Sequence, residues 1–138
     1  MADRLRLELA TPTRLVVSEA VDEVVVPGID GHFGVLPGHA SLLALVGSGE
    51  LTYRTGRDER HLAVSGGFSE VGPDRVTILA DAAERPEEID AGRARAARER
   101  AEGRLGTRAG DQTDFPRAAQ ALARATTRLQ VGQRRSGN

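Results

Sequence analysis

The side chains best suited to chemistry in this 138-residue sequence are His32, His39 and His61, with Ser48 and Ser65 set beside glycines. An imidazole can serve as a base or a metal ligand near neutral pH. Neither role finds support in the spacing. No His-x-x-x-His or Glu-x-x-His pair occurs, and with no cysteine a zinc site would need carboxylates at no recognisable interval. The histidines therefore read as structural or interface residues. Ser48 lies between Gly47 and Gly49, but the five-residue Gly-x-Ser-x-Gly frame of a nucleophile elbow is missing, and Ser65-Gly66-Gly67 fails in the same way. Both read as turns. All 19 basic residues are arginine, which excludes a Walker-type phosphate loop and lysine Schiff-base chemistry. No catalytic residue and no metal site is expected, so the chain reads as a non-enzyme.

The elements that would position these residues fall into two textures. Up to about residue 81 the pattern is short β-strands. Leu5, Leu7 and Leu9 alternate with Arg6 and Glu8, the period of a half-buried strand. Leu15-Val16-Val17, Ala20–Val26, Glu50–Thr55, Arg60–Val64, Phe68–Val71 and Arg75–Leu79 are further strand candidates, bounded by Gly, Pro, Asp or Ser. The stretch from Gly31 to His39 reads as loop. Regularly spaced short strands predict an all-β sandwich or flattened barrel. Beyond Asp81 the sequence turns to Ala, Arg and Glu. A first helix is expected from Pro86 to about Arg108 with the stripe Ala94, Ala97, Ala101 and Leu105. A turn at 110–113 and an N-cap at Asp114 lead to a second helix with the stripe Phe115, Ala118, Leu122, Ala125 and Leu129. The domain boundary falls at 84/85: a sandwich over 1–84 and an antiparallel helical hairpin over 85–138.

Charge divides at the same place. Residues 1–84 hold 7 arginines against 13 acids, or −6, whereas residues 85–138 hold 12 arginines against 7 acids, or +5. A basic tail beside an acidic domain suggests an acidic partner. Nucleic acid is disfavoured, because Phe115 is the tail's only aromatic residue and Glu99 and Glu102 dilute the positive face. The hairpin's facing stripes are mostly alanine, and Gly92 and Gly103 each weaken the first helix by up to ~1 kcal/mol. A pair so thinly glued suits docking on another surface, or switching between docked and extended states. No apolar run approaches the ~20 residues needed to span a bilayer. The start of the chain carries no secretory signal, which makes a cytosolic location the expectation.

Three segments in order carry a resemblance. Gly31-His32-Phe33-Gly34-Val35-Leu36-Pro37-Gly38-His39-Ala40, Ser65-Gly66-Gly67-Phe68-Ser69-Glu70-Val71 and Val76-Thr77-Ile78-Leu79-Ala80-Asp81-Ala82-Ala83 resemble the epsilon subunit of F-type ATP synthase. The spacing between them matches, and the likeness covers essentially the whole chain. It implies a ten-stranded β-sandwich followed by a C-terminal helical hairpin. It also implies a non-catalytic rotor subunit that grips gamma and the ring of membrane c subunits. The hairpin is then expected to fold on the sandwich or to extend towards acidic segments of the beta subunits, restraining ATP hydrolysis. The location implied is the cytoplasmic face of the bacterial plasma membrane, as a peripheral protein without direct insertion.

The resemblance also implies a regulatory nucleotide site. No cofactor is required, but some members bind one ATP without hydrolysing it. Ile89-Asp90-Ala91-Gly92-Arg93-Ala94 resembles their Ile/Leu-Asp-x-x-Arg-Ala motif, with Gly92 where a bulkier residue is often found. Arg100, Arg124 and Arg128 fall where those members place phosphate-contacting arginines, and Glu84 matches an adenine-side acid. Arg93 and Arg100 are seven apart and Arg124 and Arg128 four apart, so each pair can share a helix face. A free-standing binding module built on a similar sandwich is the alternative.

Overall fold

The computed structural model describes residues 4–106 and 115–135. Eight strands precede the helices: β1 (Leu5–Ala10), β2 (Leu15–Val21), β3 (Glu23–Gly28), β4 (Gly31–Val35), β5 (Leu42–Leu45), β6 (Gly49–Thr55), β7 (Asp58–Val71) and β8 (Arg75–Glu84). A 3-10 turn over Pro86–Glu88 then leads to α1 (Ala91–Gly106), α2 (Phe115–Gly132) and a last 3-10 turn over Gln133–Arg135.

The strands are hydrogen-bonded in the order β2-β1-β8-β7-β6-β3-β4, with β5 also on β7. Registers show how one ladder becomes two layers. The first half of β7 pairs with β6, from Asp58 opposite Thr55 to Val64 opposite Gly49, and its second half pairs with β5. β8 pairs with β7 from Val76 opposite Val71 to Glu84 opposite Ala63, while its own first half, Arg75–Leu79, pairs in parallel with β1. Both long strands thus pass from one layer into the other. Ten strands were expected and eight are found among the described residues, because β7 and β8 each serve both layers as a single strand.

The crossing is made at Ser65-Gly66-Gly67, which bends β7 instead of ending it. Gly66 and Gly67 have φ of +71° and +105°, a region that L side chains rarely adopt. A methyl group on Gly67 would collide with the Leu79 carbonyl, and one on Gly66 with the Asp81 carboxylate. The core lies between the layers. Leu5, Leu7 and Leu9 are fully buried, as their alternation requires, and meet Val24, Val26, Leu51, Leu62, Val76 and Ile78.

Other boundaries depart from the periodicity. Ala20–Val26 is divided at Asp22, whose carboxylate accepts the Gly56 N–H at 2.6 Å and pairs with Arg4 at 3.2 Å. The Gly56 bond, aided by the two arginines beside it, holds this carboxyl below the usual range. Gly31–Val35 is a strand where a loop-rich stretch was expected, and Leu42–Leu45 forms a strand that was not anticipated. In the tail, Pro86 opens a separate 3-10 turn, so α1 begins at Ala91. Ala94 and Ala101 are buried against α2, which contributes Ala118 and Ala125. Phe115, expected on that stripe, is exposed. The turn at 110–113 and the cap at Asp114 lie outside the described residues.

Because the core cluster contains no residue of the tail, a chain ending at Arg85 is expected to keep its strand signal in circular dichroism. Loss of that signal would show that the sandwich needs its tail to fold.

Candidate functional site

The tail rests on the outer face of β6 and β7, where side chains alternate away from the core. Ile89, 2% exposed, packs with Ala63 of β7 and Val131 of α2 in a small apolar cluster of its own. Beneath it lies a polar joint. Arg14 donates through Nη1 and Nη2 to the two oxygens of Glu88 at 2.7 and 2.9 Å, and Nη2 also reaches the Ala83 carbonyl at 3.2 Å. The Glu88 carboxylate accepts the Arg85 N–H at 2.8 Å, and Arg85 itself donates to the Tyr53 hydroxyl and the Val16 carbonyl. The Arg14 guanidinium holds the Glu88 carboxyl below the usual carboxylate range, and Glu88 in turn raises Arg14. None of this joint was legible as a site, since its members are scattered over more than seventy positions with no pattern.

Between the two helices and the sandwich lies a cleft of about 370 Å³. Its basic lining is Arg100 and Arg104 from α1 and Arg124 and Arg128 from α2, with Glu84 entering from the end of β8. Its apolar floor includes Ala63, Ala97, Ala101 and Ala125. Arg128 Nε donates to Glu84 Oε1 at 2.6 Å and Nη2 to Oε2 at 3.2 Å, a fork-to-fork pair tying tail to sandwich. Arg100, Arg104 and Arg124 have no carboxylate partner among the described residues.

The candidate nucleotide residues divide between this cleft and the helix start. Glu84, Arg100, Arg124 and Arg128 converge on the cleft. The Ile89–Ala94 motif does other work in this conformation. Ile89 anchors the tail, and Asp90 caps α1 by accepting the Arg93 N–H at 3.1 Å, with its carbonyl accepting the Ala94 N–H at 3.0 Å. Ala94 is buried against α2, while Arg93 is exposed and does not line the cleft. Arg104, which the spacing did not single out, lines the cleft beside Arg100.

A second surface lies on the sandwich. Leu45 stands opposite Phe68 and Phe68 opposite Leu79, so a row of exposed apolar side chains crosses β5, β7 and β8, extended along β5 by Leu43. Leu43 is 69% and Leu45 60% exposed. Contiguous apolar surface of this kind marks an interaction site. Leu42–Leu45 is a plain apolar run without alternation, so its sequence gives no sign of a strand with an exposed face.

His32 and His39 make local backbone contacts. His32 lies 3.2 Å from the Glu50 carbonyl and His39 2.6 Å from the Ala40 carbonyl. Among the described residues no three acidic or histidine side chains gather as a metal site, and no helix is long and apolar enough to cross a membrane.

Comparison with known proteins gives a consistent result over the whole chain. Residues 4–86 match the family model of the ATP synthase delta/epsilon chain β-sandwich domain, and residues 87–133 that of its long α-helix domain. The ATP synthase epsilon chain of Syntrophobacter fumaroxidans is 52% identical over 134 residues, 97% of this chain and 99% of that one. That of Nitratidesulfovibrio vulgaris is 47% identical over 131 residues, 95% of this chain and 97% of its own. A chain in the Euglena gracilis mitochondrial ATP synthase superposes with a TM-score of 0.83 at 24% identity, covering 96% of this chain and 83% of that one, a likeness of fold.

Proposed function

The chain belongs to the ATP synthase delta/epsilon chain family, and on that premise we propose that its tail is a releasable regulator of ATP hydrolysis by the assembled complex. The chain is an epsilon-type, non-catalytic subunit of the central stalk. Within the complex the apolar row of Leu43, Leu45, Phe68 and Leu79 docks on the gamma subunit, and loops of the sandwich meet the c-ring. On this reading the chain sits at the cytoplasmic face of the plasma membrane as a peripheral subunit. The beta subunits offer acidic surface to the tail when it extends.

The observation that carries this reading is the arginine cleft. Three guanidinium groups, those of Arg100, Arg104 and Arg124, stand without carboxylate partners among the described residues, where two helices rest on the sandwich through small side chains, the Ile89–Val131 cluster and a few ion pairs. Docking of this kind is weak, since exposed pairs contribute only ~0.2–1 kcal/mol each. The same charges serve two ends. With the tail docked they form a basic, partly apolar recess of a size suited to one nucleotide, about 300–1,000 Å³. Regulatory ATP held there would keep the tail down. With the tail extended, the arginines face acidic residues of the catalytic subunits, and Arg128 exchanges Glu84 for a partner there.

The test uses Arg100→Gln with Arg124→Gln, because neither residue ties tail to sandwich. Hydrolysis by the assembled complex is expected to rise partway towards that of a complex lacking residues 86–138, and added salt should mimic the change through screening. ATP binding by the isolated double variant should fall about tenfold or more, from the loss of two charge-assisted contacts. If tail deletion releases hydrolysis and the double substitution does not, the tail acts by steric blocking and the electrostatic reading fails. Unchanged ATP binding would remove the nucleotide from the cleft.

A further inference from the structure

The end of the tail is held apart from the cleft, by a carboxylate that two cationic partners can claim. Glu50 of β6 accepts Arg134 Nε at 2.9 Å and Arg134 Nη2 at 3.0 Å, across 84 residues of sequence. His61 of β7 places Nδ1 3.3 Å from the same carboxylate and 3.2 Å from the Thr52 hydroxyl, and Nε2 3.4 Å from Glu59. The Glu50 and His61 side chains are only 12% and 14% exposed, whereas Arg134 is 45% exposed. The acceptor is therefore fixed in the sheet and the arginine is the part that can leave. The Glu50 carboxylate raises the Arg134 guanidinium's hold on its proton, as expected of a direct pair.

We propose that Glu50, His61 and Arg134 form a proton-sensitive latch: protonation of His61 sets it against Arg134 for Glu50 and loosens the end of the tail from the sandwich. With His61 neutral, the Glu50 charge belongs to Arg134 alone. A proton on His61 brings a second cation onto the same carboxylate, next to the first. Linkage fixes the sign. With Arg134 docked, His61 faces Glu50, Glu59 and one opposing cation; with Arg134 released it faces the two carboxylates without that cation. The released state therefore binds the proton better, and by reciprocity the proton favours release. Docking therefore strengthens as pH rises and His61 gives up its proton.

The remaining charges around the latch do not reverse this order. Arg57, Asp58 and Arg60 on the β6–β7 hairpin, with Arg85 and Glu87 below the tail, line the same surface groove. Arg85 is engaged with Tyr53 and Val16. From the tail side the other groove residues are the neutral Gln130 and Gln133. His32 approaches Glu50 at its backbone carbonyl, 3.2 Å away, not at the carboxylate.

The chain has no cysteine, so two can be introduced for spin labels, at exposed Ala20 in the sandwich and Gln133 beside the latch. In the full-length protein the short-distance population should fall between pH 8 and pH 6, with the released fraction rising up to about fivefold, the range of one exposed pair. His61→Gln should make the distribution independent of pH and docked. Arg134→Gln, outside the sandwich and unable to unfold it, should give a released end at both pH values. An unchanged wild-type distribution overturns the latch. So does a pH response that survives in either variant, which would assign it to His32 or His39.

Discussion

Replacing Gly67 with alanine is expected to destabilise the sandwich by about 2–5 kcal/mol, the sum of a strained backbone and a steric collision. At φ of +105° an L residue is held where its side chain crowds its own backbone. The added methyl would also meet the Leu79 carbonyl and the Ala80 Cα, both backbone atoms of the paired strand, which cannot swing aside as a side chain can. Relief requires β7 to part from β8 at the point where both pass between layers. Against a total of ~5–15 kcal/mol for a native domain, that loss is severe. Urea unfolding followed by circular dichroism reads it, and a midpoint equal to wild type would mean that the crossing is not under this constraint. Gly56, with φ of +63° at an open turn and nothing near its would-be Cβ, supplies the control in which strain acts without collision.

Ile89→Ala is the second large effect, and it falls on the tail alone. Ile89 belongs neither to the sandwich core cluster nor to the cleft lining itself, yet it is nearly fully buried with Ala63 and Val131. Truncating a buried isoleucine costs about 2–5 kcal/mol. What else secures the tail is small: the Arg128–Glu84, Arg134–Glu50 and Arg14–Glu88 pairs, all partly exposed, and contacts among alanines. Loss of the anchor should therefore free the hairpin while leaving the strands intact. Hydrogen exchange should show protection falling across α2 and unchanged in β1. Equal protection of α2 in variant and wild type would mean that ion pairs, and not Ile89, hold the tail. The result also separates two roles for the Ile89–Ala94 motif, since an anchor acts in the absence of nucleotide whereas a nucleotide contact acts only in its presence.

Much of this architecture could be read from local pattern. Leu5, Leu7 and Leu9 announce a strand with one dry face, and the shift to Ala, Arg and Glu after Asp81 announces helices. Reading failed where a local signal has two uses. Ser65-Gly66-Gly67 looks like a chain reversal, because positive φ is commonest in turns, but here it bends a strand through the sandwich. Asp22 lies inside a β-branched run, and only its contacts with Gly56 and Arg4, made across the fold, show that the run is broken there. For the cleft, the resemblance pointed to Arg100, Arg124, Arg128 and Glu84, and helical spacing only allowed the arginine pairs to share a face. The choice of Arg104 over Arg93 depends on how α1 is rolled against α2, which alanine-rich stripes specify poorly. The Arg134–Glu50 and Arg14–Glu88 pairs join residues 84 and 74 apart, and no periodicity can announce such contacts.

The parallel pairing of β1 with β8 has a consequence for the order of events in synthesis. Arg6 lies beside Arg75 and Ala10 beside Leu79, so the first strand made must wait for the last before either can be covered. Until then Leu5, Leu7 and Leu9 have only β2 as a hydrogen-bonded neighbour. The hairpins β3–β4 and β6–β7 need only near neighbours and can form as they emerge. A ribosome that has not yet released Leu79 thus carries an open half-sandwich with an apolar first strand, a species that attracts chaperones or other nascent chains.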